Sequence, residues 1–173
     1  HQNLPRSLPE RKKTYQIESA DNPRISSNGK WVSMEKPVPA IEAAKKSKDK
    51  SKAPKEGMLL LNTSSGEQII TDSVKSFEFS NDGNFLFMHL YDKEIKKKGK
   101  KKGELGSILK ILALEDDLHE YSISFVNTFA IDSAYQNFSY IVSDTMIENN
   151  GVYVNTLNSQ FSSQEILPLD SLT

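Results

Sequence analysis

The apolar positions of this chain follow the two-residue period of β-strands in most segments. Three predicted strands each begin at a glycine, within 57–67, 106–115 and 151–157. A short further strand is predicted after each of them, at 68–71, 120–125 and 164–167. Residues 40–46 alone have a helical composition, and prolines bound that segment at 37, 39 and 54. The pattern therefore predicts an essentially all-β fold.

One segment of the chain is repeated. Residues 22–34 recur 54 positions later as residues 76–88. Ile25 corresponds to Phe79, Gly29 to Gly83 and Met34 to Met88. A degenerate third copy at 129–140 keeps the strand–turn–strand pattern but lacks the glycine. The dipeptides Asn28-Gly29 and Asp82-Gly83 accept positive φ at low cost and stand between two strands. Each copy is therefore predicted to be a β-hairpin with its turn at that dipeptide.

The repeat length indicates the architecture. Each unit carries four predicted strands over about fifty residues, and four antiparallel strands at a period of roughly 40–50 residues are typical of one blade of a β-propeller. The sequence thus predicts a partial β-propeller of about three four-stranded antiparallel blades, at about 22–72, 73–125 and 126–170. Residues 1–21 precede them as an N-terminal arm that either lies across the outer blades or is mobile.

Three blades are fewer than a closed ring needs, because propellers usually have roughly four to eight. We expect the chain to be the N-terminal part of a larger protein or to assemble with another chain; the alternative is a compact three-sheet arrangement with polar end blades. The aromatic and methionine side chains of the hairpins are expected to pack blade against blade, with a ligand cage as the alternative; they are Trp31, Met34, Phe77, Phe79, Phe85, Phe87, Met88, Phe138 and Tyr140.

At residues 22–32 and 77–87 the sequence resembles the Ser-Pro-Asp-Gly hairpin repeat of Tol-associated periplasmic propellers. It resembles more closely the N-terminal propeller of the prolyl oligopeptidase family of serine peptidases. A hairpin, a strand ending in Asn-Thr-x-x-Gly, a Phe-Ser-x-Asp hairpin, a Lys-rich loop and a further strand follow in that family's order up to Ile111. Ser27 and Asn81 depart from the repeat, which often has proline there, and the third copy lacks Asp-Gly.

This resemblance covers about residues 22–167 and implies a function. The propeller of such a peptidase stacks on a hydrolase domain, limits access to short peptides and helps position their N-termini. It also implies a bacterial, exported protein, periplasmic or secreted. A non-enzymatic propeller scaffold that binds a protein partner in the periplasm is the alternative, since the hairpin repeat occurs in proteins that are not peptidases.

The residues of the chain predict no catalytic site. A hydrolase of this kind carries its nucleophile on a Gly-x-Ser-x-Gly elbow, and the sequence contains no such pentapeptide. His1 is terminal, His89 lies in a predicted strand and His119 in a polar turn, so none completes a triad. Nucleophile, acid and base are expected from sequence outside this chain, together with the remaining blades and the peptide substrate.

Metal and cofactor sites are not predicted either. Asp116, Asp117, His119 and Glu120 are ligand types for hard cations, but a charged turn between strands has the same composition and no second cluster accompanies it. No Gly-rich loop introduces a helix, so a phosphate site is not expected. The absence of cysteine excludes thiolate ligands and thiol nucleophiles.

Charge is informative only locally, because 22 basic and 23 acidic residues nearly cancel. Seven lysines lie in 36–55 and seven in 93–102, the latter including Lys96, Lys97, Lys98, Lys100, Lys101 and Lys102. Both runs follow the second strand of a blade, so propeller connectivity places them on the same side of neighbouring blades. This position predicts a joint positive patch that binds an acidic partner, a polyanion or a membrane surface. The alternative is that both runs are solvated insertions. Neither run has an aromatic for base stacking, so nucleic acid is not predicted. Apolar runs such as 58–61 are far too short to span a membrane.

Overall fold

A computed structural model describes residues 13–39, 54–91, 105–115, 118–134, 137–157 and 163–168. This part of the chain contains eleven β-strands and one short 3-10 turn at Ile147–Asn149, so the all-β prediction is confirmed. The strands are β1 Asp21–Ile25, β2 Trp31–Lys36, β3 Gly57–Asn62, β4 Gln68–Thr71, β5 Val74–Phe79, β6 Phe85–Leu90, β7 Ser107–Ala113, β8 His119–Ile131, β9 Asn137–Val142, β10 Gly151–Thr156 and β11 Ser163–Pro168. The predicted helical segment 40–46 lies outside the described residues.

Each strand pairs antiparallel with the next one in the chain, except at the step from β4 to β5. The result is a sheet β1-β2-β3-β4 and a seven-stranded sheet from β5 to β11. The long strand β8 belongs to two units: its first half pairs with β7 and its second half, from Val126, pairs with β9. Phe125 lies between the halves with φ +60° and turns the strand there.

The strands therefore form three consecutive four-stranded antiparallel units, and the predicted fold class, a partial β-propeller of three such blades, is confirmed. Blade 1 is β1–β4, blade 2 is β5–β7 with residues 119–125, and blade 3 is residues 126–131 with β9–β11. The sequence predicted a strand break near residue 125, whereas the structure has one strand of 13 residues. Antiparallel pairing continues on both sides of the bend, and for that reason the strand is not interrupted.

Successive residues of a strand point to opposite faces, and in β6 both faces are buried. Leu86, Met88 and Leu90 belong to a cluster shared with blade 1, whose members there are Trp31, Met58 and Leu60. Phe85 and Phe87 belong to a second cluster, shared with blade 3, whose members there include Val126, Phe138, Tyr140 and Val142. We call the side of a blade that meets the next blade its forward face, and the opposite side its backward face.

Aromatic rings dominate the interface between blades 2 and 3. The Phe87 ring stacks on Phe129 with centroids 5.6 Å apart and meets Phe138 edge-on at 5.1 Å. Tyr140 stacks on Phe138 at 5.7 Å and on Tyr153 at 5.2 Å. The aromatic and methionine positions of the hairpins thus form core between blades, as expected, with the exception of Met34, which lies on the backward face of blade 1.

Gly106, directly before β7, packs against the bend of β8. Its N–H donates to the Ser143 carbonyl at 2.9 Å, and the Ser143 N–H donates to the Phe125 carbonyl at 2.8 Å. A Cβ atom added to Gly106 would lie 2.0 Å from the Phe125 oxygen, a backbone atom that cannot rotate away. Glycine is therefore required where the three segments meet.

We predict that Gly106→Ala lowers the free energy of unfolding by about 3 kcal/mol or more, since the added methyl group forces the backbone of β8 to move. Gly29→Ala is the matched control: φ is +71° there, but nothing lies within 4 Å of an added Cβ. That variant carries only the cost of a left-handed residue, about 1 kcal/mol. Urea unfolding followed by circular dichroism measures both, and equal losses would contradict the role given to Gly106.

Candidate functional site

Serine-centred hydrogen bonds hold the repeated hairpin turns. In blade 2 the hydroxyl of Ser80 donates to Asp82 Oδ1 at 2.6 Å and accepts the Phe85 N–H at 2.9 Å. In blade 1 the hydroxyl of Ser26 donates to Asn28 Oδ1 at 2.8 Å. Both serines are only 2% exposed, so each buried hydroxyl is used fully within its own turn.

Gly29 and Gly83 follow these polar residues with φ of +71° and +74°, in the left-handed region that favours glycine. At Gly83 a second constraint applies, because an added Cβ would lie 3.0 Å from Ser27 Oγ and from the amide of Asn28. The turn of blade 2 is therefore in close contact with the turn of blade 1.

The turns of neighbouring blades are joined by hydrogen bonds, which we call the turn ladder. Ser27 Oγ donates to the Asn81 carbonyl at 2.5 Å, and Asn28 Nδ2 donates to the Gly83 carbonyl at 2.9 Å. Asn81 Nδ2 then donates to the carbonyl of Asp132 in the turn of blade 3, at 3.3 Å. Ser27 and Asn81 stand where the repeat often has proline, which has no side-chain donor. The sequence showed this departure but not what it does.

Asp82 is a charged residue within the turn of blade 2. Its partial burial alone would raise its pKa, but hydrogen bonds from the Ser80 hydroxyl and from the backbone and side chain of Asn84 stabilise the carboxylate. The net effect holds the pKa of Asp82 below its ordinary value of 3.8. The equivalent residue in blade 1, Asn28, makes a similar turn without a charge.

The loops between the second and third strands of each blade leave the opposite rim of the structure. Lys55, the last lysine of the first run, lies with Nζ 5.4 Å from the ring centroid of Tyr91, directly before the second run. The Val74 N–H donates to the Glu56 carbonyl at 3.0 Å, and the Tyr91 N–H donates to the Ser73 carbonyl at 2.8 Å. The end of the first Lys-rich loop therefore lies beside the start of the second. Lys96, Lys97, Lys98, Lys100, Lys101 and Lys102 lie outside the described residues.

The corresponding loop of blade 3, residues 143–150, is organised by the buried carboxylate of Asp144. Asn149 Nδ2 donates to its Oδ2 at 2.7 Å, and the N–H and hydroxyl of Thr145 donate to its Oδ1. Burial alone would raise the pKa of Asp144, but these hydrogen bonds outweigh it and lower the pKa. The loop presents Met146 and Ile147 to solvent, 56% and 64% exposed.

The buried His89 and the partly buried Ser107 form a pair that has the wrong polarity for catalysis. Ser107 Oγ donates to the Leu90 carbonyl at 2.7 Å, and His89 Nε2 lies 2.8 Å from Ser107 Oγ and 2.9 Å from the Val126 carbonyl. Because the hydroxyl proton is directed to Leu90 and a carbonyl can only accept, Nε2 carries a proton here. A general base would need the reverse arrangement. The pair joins β6, β7 and β8 instead.

His119 and Glu120, the described residues of the candidate ligand cluster, have different surroundings. A shallow cavity of about 280 Å³ is lined by Phe85, Ala113, Glu115, His119 and Tyr121. Glu120 forms an ion pair with Lys110 at 2.7 Å, and Asp116 and Asp117 lie outside the described residues. Within the described residues no three histidine, aspartate or glutamate side chains are grouped as a metal site would need, and no helix there is long and apolar enough to cross a membrane.

We predict that Asp82→Asn weakens the acid sensitivity of the fold. A carboxylate with a lowered pKa stabilises the folded state above pH 3.8, and that contribution is lost as the pH falls through the folded-state pKa. The wild-type chain should therefore lose more stability than the variant between about pH 6 and about pH 2 in urea titrations. Glu78→Gln, at an exposed position of the same blade, is the control. Identical pH profiles for Asp82→Asn and wild type would contradict the prediction.

Comparison with known proteins gives structural neighbours only. No protein-family model matches the sequence, and no curated protein matches it. A eukaryotic initiation factor structure matches at 7% identity and a TM-score of 0.48, over 86% of this chain and 33% of that one. The β-propeller domain of the trilobed protease from Pyrococcus furiosus matches at 12% identity and 0.47, over 87% of this chain and 43% of its own. A prolyl endopeptidase structure matches at 11% identity and a TM-score of 0.47, over 87% of this chain and 22% of that one.

The chain thus spans less than half the length of each of these structures. A protease propeller domain and a prolyl endopeptidase are among the neighbours, and so is a eukaryotic initiation factor. At these identities and TM-scores the likenesses assign no activity to this chain.

Proposed function

We propose that this chain is the non-catalytic N-terminal propeller part of a prolyl-oligopeptidase-like serine peptidase. It admits peptides to a hydrolase domain encoded outside these 173 residues and helps to position them there. The sequence resemblance of the hairpin repeat supports this proposal. The protein is proposed to be exported, periplasmic or secreted, as the same resemblance implies.

The observation that carries the proposal is the turn ladder across three consecutive blades. Hydrogen bonds of 2.5 Å from Ser27 to Asn81 and of 3.3 Å from Asn81 to Asp132 fix each blade relative to the next at one rim. Shared apolar clusters fix the blades along their faces. Such an assembly is a stiff boundary that can exclude bulky substrates, and it requires no reactive group of its own.

The chemistry of the described residues agrees with a non-catalytic role. The partly buried Ser107 hydroxyl is a donor to the Leu90 carbonyl at 2.7 Å and is not activated by His89. The strained strand-to-helix elbow that exposes a hydrolase serine has no counterpart in this sequence, which lacks the Gly-x-Ser-x-Gly pentapeptide. Under this proposal the nucleophile comes from a separate domain.

The complete reading frame that contains this chain tests the proposal. We expect it to encode, downstream, a Gly-x-Ser-x-Gly serine followed by an aspartate and a histidine. The full-length protein should react with a fluorophosphonate probe and cleave short proline-containing peptides, with kcat/KM falling steeply as the peptide is lengthened. The same protein with that serine changed to alanine is the control. A frame that ends after further blades, or cleavage that is insensitive to peptide length, would overturn the proposal.

A second candidate function is a non-enzymatic scaffold for an acidic protein partner. It is favoured by the position of the two Lys-rich loops, because the end of the first lies beside the start of the second. Fourteen of the 22 basic residues lie between Lys36 and Lys55 or between Lys93 and Lys102. The cation–π contact of Lys55 with Tyr91 joins the end of the first loop to the start of the second. The carbonyl groups of Glu56 and Ser73 accept hydrogen bonds beside this contact. Positive charge concentrated in this way attracts a polyanionic surface and speeds association.

Charge neutralisation distinguishes the scaffold from a simple solvated insertion. We expect replacement of all six lysines of Lys96–Lys102 by glutamine to weaken binding to poly-L-glutamate about tenfold at low salt and to flatten the salt dependence. Lys30→Gln with Lys75→Gln, two exposed lysines of blades 1 and 2, is the control and should change binding little. Unchanged affinity and salt dependence in the six-lysine variant would eliminate the electrostatic role.

A further inference from the structure

The turn of blade 1 contains an asparagine followed by glycine, a pair with a reactivity of its own. In an unconstrained chain the backbone nitrogen of the glycine attacks the amide carbon of the asparagine side chain, because glycine has no Cβ to hinder the approach. A cyclic imide forms, the bond from that carbon to the side-chain nitrogen breaks, and ammonia leaves with the proton of the glycine N–H. Water then opens the imide to aspartate or isoaspartate. Asn28 and Gly29 are such a pair, and so are Asn150 and Gly151.

Hydrogen bonds within the turn hold both reacting groups of the first pair. Asn28 Oδ1 accepts the Ser26 hydroxyl at 2.8 Å and the Lys30 N–H at 3.0 Å. The Gly29 N–H donates to the Ser26 carbonyl at 2.8 Å. Ring closure requires the Asn28 side chain to rotate and the Gly29 nitrogen to give up its acceptor, so all three bonds oppose the reaction.

Blade 2 adds a second restraint across the blade boundary. Asn28 Nδ2 donates to the Gly83 carbonyl at 2.9 Å and to Asn84 Oδ1 at 3.4 Å. A Cβ added to Gly83 would lie 3.0 Å from Asn28 Cγ, so the turn of blade 2 packs directly against the carbon that reacts. Nothing lies within 4 Å of a Cβ added to Gly29. Hydrogen bonds and the contact with blade 2 therefore restrain the pair, and steric bulk around Gly29 does not.

An aspartate at this position cannot keep the bond to blade 2. An ionised carboxylate only accepts hydrogen bonds, so it can retain the two bonds to Asn28 Oδ1 but has no proton for the Gly83 carbonyl. The turn of blade 2 illustrates this, because the carboxylate of Asp82 accepts from Ser80 and Asn84 of its own turn. Conversion of the asparagine would therefore preserve the turn of blade 1 and remove its link to the next turn.

We propose that Asn28 is a deamidation site under the control of the turn ladder. While the turns of blades 1 and 2 are joined, ring closure is slow; when they separate, the Gly29 nitrogen attacks Asn28 Cγ. The carboxylate that results has no donor for blade 2, so the separation becomes permanent. The site lies between blades 1 and 2, and the inference rests neither on the peptidase proposal nor on sequence outside this chain.

Peptide mass spectrometry of the protein, aged in native buffer and in concentrated urea, follows the mass gain of each deamidated asparagine. We expect Asn28 to react at least about tenfold more slowly in native buffer than in urea, because local opening must precede the reaction. Ser27→Ala, which removes the bond of 2.5 Å to the Asn81 carbonyl, should raise the native rate about fivefold. Ser27→Thr keeps the hydroxyl and should match wild type. The pair Asn150 and Gly151 is the internal control, and its rate should be the same in both variants.

The consequence of the reaction is tested with Asn28→Asp, which has the side chain of the aspartate product. Amide hydrogen exchange at Gly83 should be about fivefold faster in this variant, since the turn of blade 2 loses its bond to blade 1. Asn150→Asp is the matched control: it keeps an oxygen acceptor for the Asp144 N–H and should leave exchange at Gly83 unchanged. Equal rates at Asn28 in native buffer and urea, an unchanged rate in Ser27→Ala, or unchanged exchange at Gly83 in Asn28→Asp would each overturn the proposal.

Discussion

The structure depends on a central blade that is apolar on both faces. In β6 all six residues are buried, with Leu86, Met88 and Leu90 against blade 1 and Phe85 and Phe87 against blade 3. A sheet of this kind is not stable by itself in water, because one face would always expose apolar area, at a free-energy cost of about 25 cal/mol per Å². Blades are therefore stable only as neighbours, and the hairpins, bends and ladder serve to keep neighbours in register.

The two interfaces meet this requirement in different ways. Between blades 2 and 3 the aromatic rings interlock around Phe87. In blade 1 the corresponding position is Ser33, which is fully buried and whose hydroxyl has no hydrogen-bond partner within the described residues. Beside it, the Arg24 guanidinium lies 5.7 Å from the ring centroid of Phe77 and reaches the Phe77 carbonyl at 3.4 Å. A cation–π contact and a small side chain thus replace the aromatic contact.

Local sequence signals predicted the elements well and their connections poorly. Asn28-Gly29 and Asp82-Gly83 are pure local turn chemistry, and period-two alternation defines a strand without knowledge of its partner. The continuity of β8 could not be predicted, because it depends on pairing with β7 on one side of Phe125 and with β9 on the other. The turn ladder was equally hidden: Ser27 and Asn81 look like ordinary departures from a proline position until their partners, 51 to 54 residues away, are known.

The two rims of the structure carry different physical roles. On the turn rim, short polar residues use their hydrogen-bonding groups within and between blades, so little remains there to recognise a ligand. On the other rim, the Lys-rich loops begin or end near Lys55 and Tyr91 and leave positive charge accessible. The loop around Asp144 leaves the apolar pair Met146 and Ile147 accessible. Recognition requires groups that are not already paired and a scaffold that holds them still. Any partner of this chain, peptidase domain or acidic protein, is therefore expected to meet the loop rim, while the turn rim maintains the spacing of the blades.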